Sequence, residues 1–334
     1  MKYILLLIVV YTIILLCIYY IFTEKKECFS TTNTSTSNQN AIPKHIKYTY
    51  KGYTSLLKDY ENCTYTSGGI PKIIFKTSWQ KRNRFPKEIT VVLNNTIIMN
   101  PDYNLYYFDD DEVNIFMKSY SARAHAAYNK IVPGAFKADL FRYCILEKYG
   151  GCYSDIGHIL QRPFDTICGN NKLVLVKDLF DTGIHNALIC CTPHHPFIIK
   201  LVEQCIKNIE SSYYGYCALS ITGPVLAGNM FHKFYYNTLD ALSLTDNESE
   251  NILKKENDKL MFNKYIIPGD SNGIRMLKLE IIGEEKERND NKYIIDVNNN
   301  IFIETKFKNY YNIMYSKQPY YDDYWTSKTV YTIL

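Results

Sequence analysis

An aspartate and an arginine three residues apart, Asp139 and Arg142, are the first side chains in this chain whose types and spacing suit chemistry. On a helix this spacing brings both side chains to one face. A carboxylate can accept hydrogen bonds from ribose hydroxyls, and a guanidinium can hold a diphosphate or a sugar hydroxyl, so the pair suits a nucleotide-sugar. From spacing alone, an ordinary surface ion pair is the simpler interpretation.

A second acidic candidate, Asp155, directly follows a short predicted strand at residues 152–154. In open α/β sheets, ligands bind beyond the carboxyl ends of the strands. Asp155 is therefore better placed for chemistry than a side chain in the middle of a helix.

The elements that must position these residues alternate between strand and helix patterns. Predicted strands cover 73–75, 105–108, 152–154, 173–176 and 187–191, and predicted helices cover 109–120, 135–149, 196–211 and 223–236. This alternation predicts an α/β layer fold with a mainly parallel sheet. The chain has no G-x-G-x-x-G or Walker-type loop, so neither a dinucleotide oxidoreductase nor a P-loop phosphotransferase is supported.

Composition narrows the class of protein further. Hydrophobic residues make up 46% of the 334 residues and charged residues 22%, which is typical of a globular chain. The net charge of +4 is too balanced, and the basic residues too scattered, to indicate nucleic-acid binding. The ten cysteines show neither a C-x-x-C pair nor a zinc spacing.

The N-terminus predicts a membrane anchor. Residues 3–22 carry no charge, and as a helix they would be about 30 Å long, the thickness of a bilayer core. A cleaved signal peptide has a shorter apolar core and a small-residue cleavage site, whereas this run continues directly into charged residues. We therefore expect a single-pass membrane protein whose catalytic domain is lumenal or otherwise on the far side of the anchor.

These features predict three regions. Residues 1–27 form the anchor, 28–69 a polar stalk rich in Ser, Thr and Asn, and 70–334 the catalytic domain, within which the charged stretch 245–259 is a surface insertion.

The order of several motifs resembles glycosyltransferase family 32, the DXD-containing sugar transferases related to initiating α-mannosyltransferases. The matching motifs are I-P-K-I-I at 70–74 with Trp79, N-P-D-Y at 100–103, A-D-L-F-R-Y at 138–143, Y-G-G-C-Y-S-D at 149–155, Asn186, H-P at 195–196 and T-G-P at 222–224. Each motif is modest, but the ordered set is specific. The chain is similar to a divergent member of the family, with a viral origin left open.

The resemblance implies a GT-A fold, which is an α/β Rossmann-like nucleotide-sugar transferase architecture. It also implies transfer of a hexose from a UDP- or GDP-sugar to a hydroxyl of a glycan, glycoprotein or glycolipid, with the anomeric configuration retained. No nucleic-acid partner is implied.

The same resemblance implies roles for individual residues. Asp139 and Arg142 would hold the ribose and sugar of the donor, with Arg142 and Asp155 in the catalytic centre. Asn186 would contact the sugar, and Gly151 would lie beside the donor. Trp79 would stack on the base, although a core or rim aromatic is an equal alternative.

The metal motif departs from the family. Asp155 is its first aspartate, but Gly157 stands where the family has the second, which normally ligates a divalent cation, Mn²⁺ or Mg²⁺. His158 is a candidate replacement, since Mn²⁺ accepts imidazole, and Asp322 or Asp323 could complete the site. The alternatives are an ordinary strand histidine and a solvated turn.

Three rival functions follow from these departures. A catalytically impaired membrane protein that binds a nucleotide-sugar is favoured by the loss of a ligand at Gly157. A glycoside hydrolase would need two carboxyls about 5–9 Å apart across a cleft, and Asp155 has no evident partner in sequence. In a structural membrane protein, Asp139, Arg142 and Asp155 would show no clustering.

Overall fold

The computed structural model describes residues 50–61, 69–179, 183–236, 273–282, 292–316 and 319–332. The predicted anchor at 1–27 and the predicted insertion at 245–259 lie outside these residues. No helix within them is both long enough and apolar enough to cross a bilayer.

A mixed sheet of nine strands lies at the centre of the described part, in the order β2-β1-β3-β6-β5-β7-β8-β9-β4. The strands are β1 Ile73–Thr77, β2 Asn104–Phe108, β3 Gly151–Ser154, β4 Ile159–Leu160, β5 Leu173–Lys177, β6 Leu188–Cys191, β7 Ile274–Ile281, β8 Lys292–Ile295 and β9 Ile301–Glu304. The helices are α1 Tyr53–Glu61, α2 Lys87–Met99, α3 Asp110–Tyr120, α4 Ala122–Lys130, α5 Gly134–Tyr149, α6 Phe164–Cys168, α7 Pro196–Glu210, α8 Pro224–Tyr236, α9 Tyr310–Met314 and α10 Tyr321–Thr326. Every predicted strand and helix is present within two residues of its predicted ends.

The prediction of a mainly parallel sheet is wrong. β1 runs parallel to β2 and β3, and β5 runs parallel to β7, but the other neighbouring pairs are antiparallel. The described residues between β5 and β6, 178–179 and 183–187, contain no helix. The whole connection, residues 178–187, is shorter than the crossover of about a dozen residues or more that a parallel connection needs. β6 therefore returns antiparallel between β3 and β5, a direction that the apolar pattern alone does not encode.

Apolar cores cover both faces of the sheet. Successive side chains of a strand point to opposite faces, so in β1 Ile74 joins the core beneath α2 and α6, whereas Phe75 joins the core beneath α3 and α5. α5 is buried along most of its length, including Asp139 and Arg142. Because this helix lies in the core, its polar side chains must find partners inside the protein.

The first helix corrects the predicted boundary between the stalk and the catalytic domain. α1 lies within the predicted stalk, yet Tyr53 and Leu56 are buried in the core, and the backbone of Lys51 pairs with Tyr106 of β2. Tyr53 and Leu56 have helical spacing, but the helix is short and polar residues surround them. The sequence pattern therefore does not reveal this helix. The folded domain therefore extends N-terminally to at least Tyr50.

Candidate active site

Two adjoining cavities lie at the carboxyl ends of β1, β3 and β5. The residues that directly follow these strands are Ser78, Asp155 and Asp178, and all three line a cavity. The first cavity, of about 150 Å³, includes Ser78 and Trp79. The second, of about 250 Å³, includes Asp178. The wall that both cavities share is formed by Ala135, Arg142, Asp155, Tyr310 and Tyr315.

Arg142 joins two carboxylates on this wall. Its Nη2 lies 3.2 Å from Asp139 Oδ1 and 3.4 Å from Asp155 Oδ1. Its Nη1 donates to the backbone carbonyl of Asn186 at 2.8 Å, and its Nε donates to that of Ala138 at 3.2 Å. Since a guanidinium has five N–H donors, most of those of Arg142 are engaged by the protein. Arg142 is therefore placed to orient the two carboxylates rather than to bind a ligand through its whole fork.

Asp139 is the buried centre of a hydrogen-bond network. Its carboxylate accepts from Thr222 Oγ1 at 2.8 Å and from Asn186 Nδ2 at 2.9 Å, in addition to the Arg142 pair. Asn186 Nδ2 also donates to the hydroxyl of Tyr143. Burial raises the pKa of Asp139, while Arg142 and the two hydrogen bonds oppose the rise.

Asp155 is more open than Asp139. Its side chain is 30% exposed, and its Oδ1 accepts from the hydroxyl of Tyr153 at 2.9 Å. The Arg142 guanidinium stacks on the same tyrosine ring, 4.5 Å from its centroid. Asp155 is thus held at the junction of the cavities with part of its carboxylate accessible.

The structure brings together four residues to which the resemblance assigns a role at the donor or in the catalytic centre. Asp139, Arg142, Asp155 and Asn186 all line the second cavity, although they come from α5 and from two separate strand ends. The four side chains thus share one cavity, and their roles stay predictions. The Asp139–Arg142 pair is buried, so the alternative of a surface ion pair is excluded.

Of the two other residues predicted to contact the donor, Trp79 lines a cavity and Gly151 does not. Trp79 lines the first cavity, with its indole N–H donating to the carbonyl of Met314 at 3.1 Å. Gly151, predicted to lie beside the donor, lines neither cavity. Its φ is +87°, and a Cβ there would lie 2.8 Å from the carbonyl oxygen of Ile73. Gly151 is therefore needed for the close approach of β3 to β1.

The predicted metal ligands do not assemble around Asp155. His158 is buried, its Nδ1 lies 3.1 Å from Ser154 Oγ, and it lines neither cavity. Asp322 and Asp323 are exposed on α10, and a carboxylate oxygen of Asp323 accepts from the backbone N–H of Tyr320 as a helix cap. Neither aspartate lines either cavity. The alternatives of an ordinary structural histidine and a solvated helix end are therefore favoured.

The residues present do not fit the divalent-cation site that the DXD family typically carries. The family's second aspartate is Gly157 here, and a Cβ at this position would lie 2.7 Å from Tyr310 Cε2. The Arg142 guanidinium, which also pairs with Asp139, already lies beside the carboxylate of Asp155 as its cation. Within the described residues, the three-ligand cluster that is found consists of Cys152, Cys168 and Cys190, which are buried and line neither cavity.

Several residues in or beside the cavities were not singled out from the sequence. Asp178 could have been found, since it lies two residues after the predicted strand 173–176 and directly follows the observed β5. Lys76 is a buried lysine within an apolar strand, and its Nζ donates to the carbonyls of Ser154 and Asp155. Burial lowers the pKa of Lys76 to about 7, although the charge of Asp155 opposes the shift. Lys76 thus supports the strand end from which Asp155 projects.

Lys306 also lines the second cavity, and it follows β9, which the sequence patterns did not predict. Its ammonium lies 4.5 Å from the ring centroids of both Tyr310 and Tyr311. Burial lowers the pKa of Lys306 to about 8, and the charge of Asp155 partly opposes the shift. The sequence carries no local signal for this residue.

A central segment of the chain matches a known protein family. Residues 86–174 match a family model described as the glycosyltransferase sugar-binding region containing the DXD motif, and this segment includes Asp139, Arg142 and Asp155. Trp79 and Asn186 lie outside the matched segment.

Curated relatives include a mannosyl phosphorylinositol ceramide synthase of Saccharomyces cerevisiae, 24% identical over 64% of this chain and 57% of that protein. An initiation-specific alpha-1,6-mannosyltransferase of Candida albicans is 30% identical over 32% of this chain and 29% of that protein. An uncharacterized glycosyltransferase of Acanthamoeba polyphaga mimivirus is 28% identical over 43% of this chain and 61% of that protein. The chain thus spans less than two thirds of the length of each of these relatives. Over residues 86–174 this chain is therefore similar to the DXD-containing glycosyltransferase sugar-binding region, with Asp155-Ile156-Gly157 where an Asp-x-Asp motif is expected.

Proposed function

We propose that this protein is a glycosyltransferase that moves a hexose from a nucleotide-sugar to a hydroxyl of a glycan or glycoconjugate, with retention, on a GT-A fold. The observation that carries the proposal is the position of Arg142. It joins Asp139 and Asp155 on the wall between two cavities, at the carboxyl ends of parallel strands. Ligands of open α/β sheets bind at this edge, and the matched sugar-binding region contains all three residues.

The two cavities divide the donor between them. The first takes the nucleoside, with Trp79 beside the base, and the second takes the sugar near Asn186. The open part of the Asp155 carboxylate accepts a donor hydroxyl at the junction. Arg142 is a positioning residue that holds Asp139 and Asp155 in these places.

Retention is proposed to occur by attack on the front face of the sugar. The acceptor hydroxyl forms the new bond on the face from which the diphosphate leaves, and the departing phosphate oxygen takes its proton. The resemblance also implies a divalent cation, Mn²⁺ or Mg²⁺, but the ligand set around Asp155 does not fit one. No step of the proposed reaction is therefore routed through a metal.

Mannose is the hexose to test first, because the curated relatives include proteins described as mannosyltransferases. The experiment is a panel of GDP- and UDP-sugars incubated with the full-length protein, with release of nucleoside diphosphate as the readout. We expect turnover of one donor well above the rest, and the same turnover in Asp322→Asn, which changes an exposed carboxylate outside both cavities. Absence of turnover with every donor would contradict the proposed activity.

A catalytically impaired nucleotide-sugar-binding protein is the second candidate, favoured by Gly157 in the metal motif. It differs from the enzyme in a single measurable respect. A donor that binds in a calorimetric titration but is never turned over would identify the binder.

We further propose that residues 1–27 anchor the protein to a membrane, with the folded domain on the far side. The support is the uncharged run at residues 3–22. Fractionation of the full-length protein should place it in the membrane pellet, resistant to carbonate and released by detergent. Full-length protein that stays soluble without detergent would rule out the anchor.

A further inference from the structure

Lys306 is a cation in the second cavity that lacks a carboxylate partner. Among the described residues its ammonium forms neither a hydrogen bond nor an ion pair, and its close neighbours are the faces of Tyr310 and Tyr311. A partly buried charge is unfavourable unless something compensates it. The two aromatic faces supply only part of that compensation.

The acidic groups of the same cavity are already occupied. Asp139 and Asp155 share Arg142, and Asp178 lies 3.6 Å from the imidazole of His185 and accepts from the backbone N–H of Leu179. Among the described residues, Lys306 is thus a cation of this cavity without a carboxylate at ion-pair distance, although the charge of Asp155 acts on it and Lys292 also lines the cavity. Its ammonium is available to an anionic ligand.

The position of Lys306 is linked to the loss of the second metal-motif aspartate. A Cβ at Gly157 would lie 2.7 Å from Tyr310 Cε2 and 3.0 Å from the carbonyl oxygen of Thr305. Thr305 and Tyr310 flank Lys306 in the chain. The segment that brings the ammonium into the cavity therefore occupies the space that a carboxylate at position 157 would need. The residues beside Lys306 thus lie against the position at which the resemblance places a second aspartate.

We propose that Lys306 binds the diphosphate of the donor directly and stabilises the departing nucleoside diphosphate in place of a divalent cation. An ammonium suits this task because charge-assisted hydrogen bonds to phosphate are strong and Lys is a common phosphate ligand. This inference rests on the proposed glycosyltransferase function.

In the transfer step, the bond between the anomeric carbon and the diphosphate oxygen breaks, and its electron pair stays on that oxygen. The acceptor oxygen bonds to the anomeric carbon, and the acceptor proton passes to the departing phosphate. Lys306 keeps its own protons and donates hydrogen bonds to the phosphate oxygens as their negative charge increases.

The test is calorimetric binding of GDP and of UDP to the full-length protein, in EDTA and in Mn²⁺. We expect one nucleotide to bind in EDTA with a Kd within about threefold of its value in Mn²⁺. Lys306→Met should weaken that binding about 10- to 100-fold, and Lys306→Arg should restore most of it because the charge is kept. Lys308→Met is the matched control, an exposed lysine two residues away, and should bind as the wild type does.

The outcomes separate this inference from the proposed function. Binding that requires Mn²⁺ and is unchanged in Lys306→Met would overturn the role of Lys306 and leave the glycosyltransferase proposal standing. Failure of both nucleotides to bind in either condition would refute the nucleotide site, and with it both proposals. Thermal melting of each variant shows whether weaker binding comes from loss of the fold.

Discussion

Asp155→Asn should lower turnover by about 10²- to 10³-fold, as expected for loss of one electrostatic group in an active site. Asparagine keeps the size of the side chain and can still accept from the hydroxyl of Tyr153, but it removes the charge that faces Arg142 and the cavity junction. The melting temperature should barely change, because a partly exposed carboxylate contributes little to the core. Steady-state turnover and thermal melting of the purified variant give both quantities.

Asp322→Asn is the control for this substitution, since it removes one negative charge from an exposed position outside the cavities. It should match the wild type in both measurements. Full activity in Asp155→Asn would show that the motif at Asp155 takes no part in the chemistry.

Asp139→Ala, in contrast, should lower stability. We expect the free energy of unfolding to fall by about 3 kcal/mol, the range for removing one partner of a buried ion pair. The substitution leaves Thr222 Oγ1 and Asn186 Nδ2 without their acceptor, and Arg142 loses one of its two carboxylates. For a domain of this size the melting temperature should fall by roughly 6–12 °C. Chemical denaturation and thermal melting measure the change.

Two further substitutions provide stability changes for comparison with that of Asp139→Ala. Thr222→Val removes one hydrogen bond to Asp139 and should cost about 1–2 kcal/mol. Asp102→Ala removes a carboxylate that is 76% exposed and 4.0 Å from Lys72, and should change stability by less than about 0.5 kcal/mol. If Asp139→Ala is as stable as Asp102→Ala, the buried network does not stabilise the fold.

The residues at the centre of the site could be predicted from the sequence because their positions depend on local structure, namely helical spacing and the end of a strand. Helical spacing put Asp139 and Arg142 on one face of α5, and the end of a short strand put Asp155 at the binding edge of the sheet. The same rule applied to β5 would have found Asp178. Burial of the Asp139–Arg142 pair could not be read from spacing, since it depends on the helices that pack over α5.

The parts of the site that the sequence did not predict depend on pairing between strands that are distant in the chain. Lys306 reaches the cavity because β7 extends the sheet parallel to β5, and β8 and β9 continue it by antiparallel pairs. The lysine is separated from Asp155 by about half of the chain. β8 and β9 have four residues each, which gives a weak pattern. Neither they, nor β7, nor the approach of Tyr310 to Gly157 was predicted. The expected metal ligands failed for the same reason, because His158 and Asp323 are engaged by neighbouring structure that the motif does not describe.

The most direct test of the nucleotide-sugar site is a structure of the full-length protein with GDP or UDP bound. The arrangement described here predicts the base beside Trp79 in the first cavity and the diphosphate within hydrogen-bond distance of Lys306, next to the Arg142–Asp155 pair. A nucleotide bound outside both cavities, or held through a metal ion with Lys306 remote from its phosphates, would contradict it.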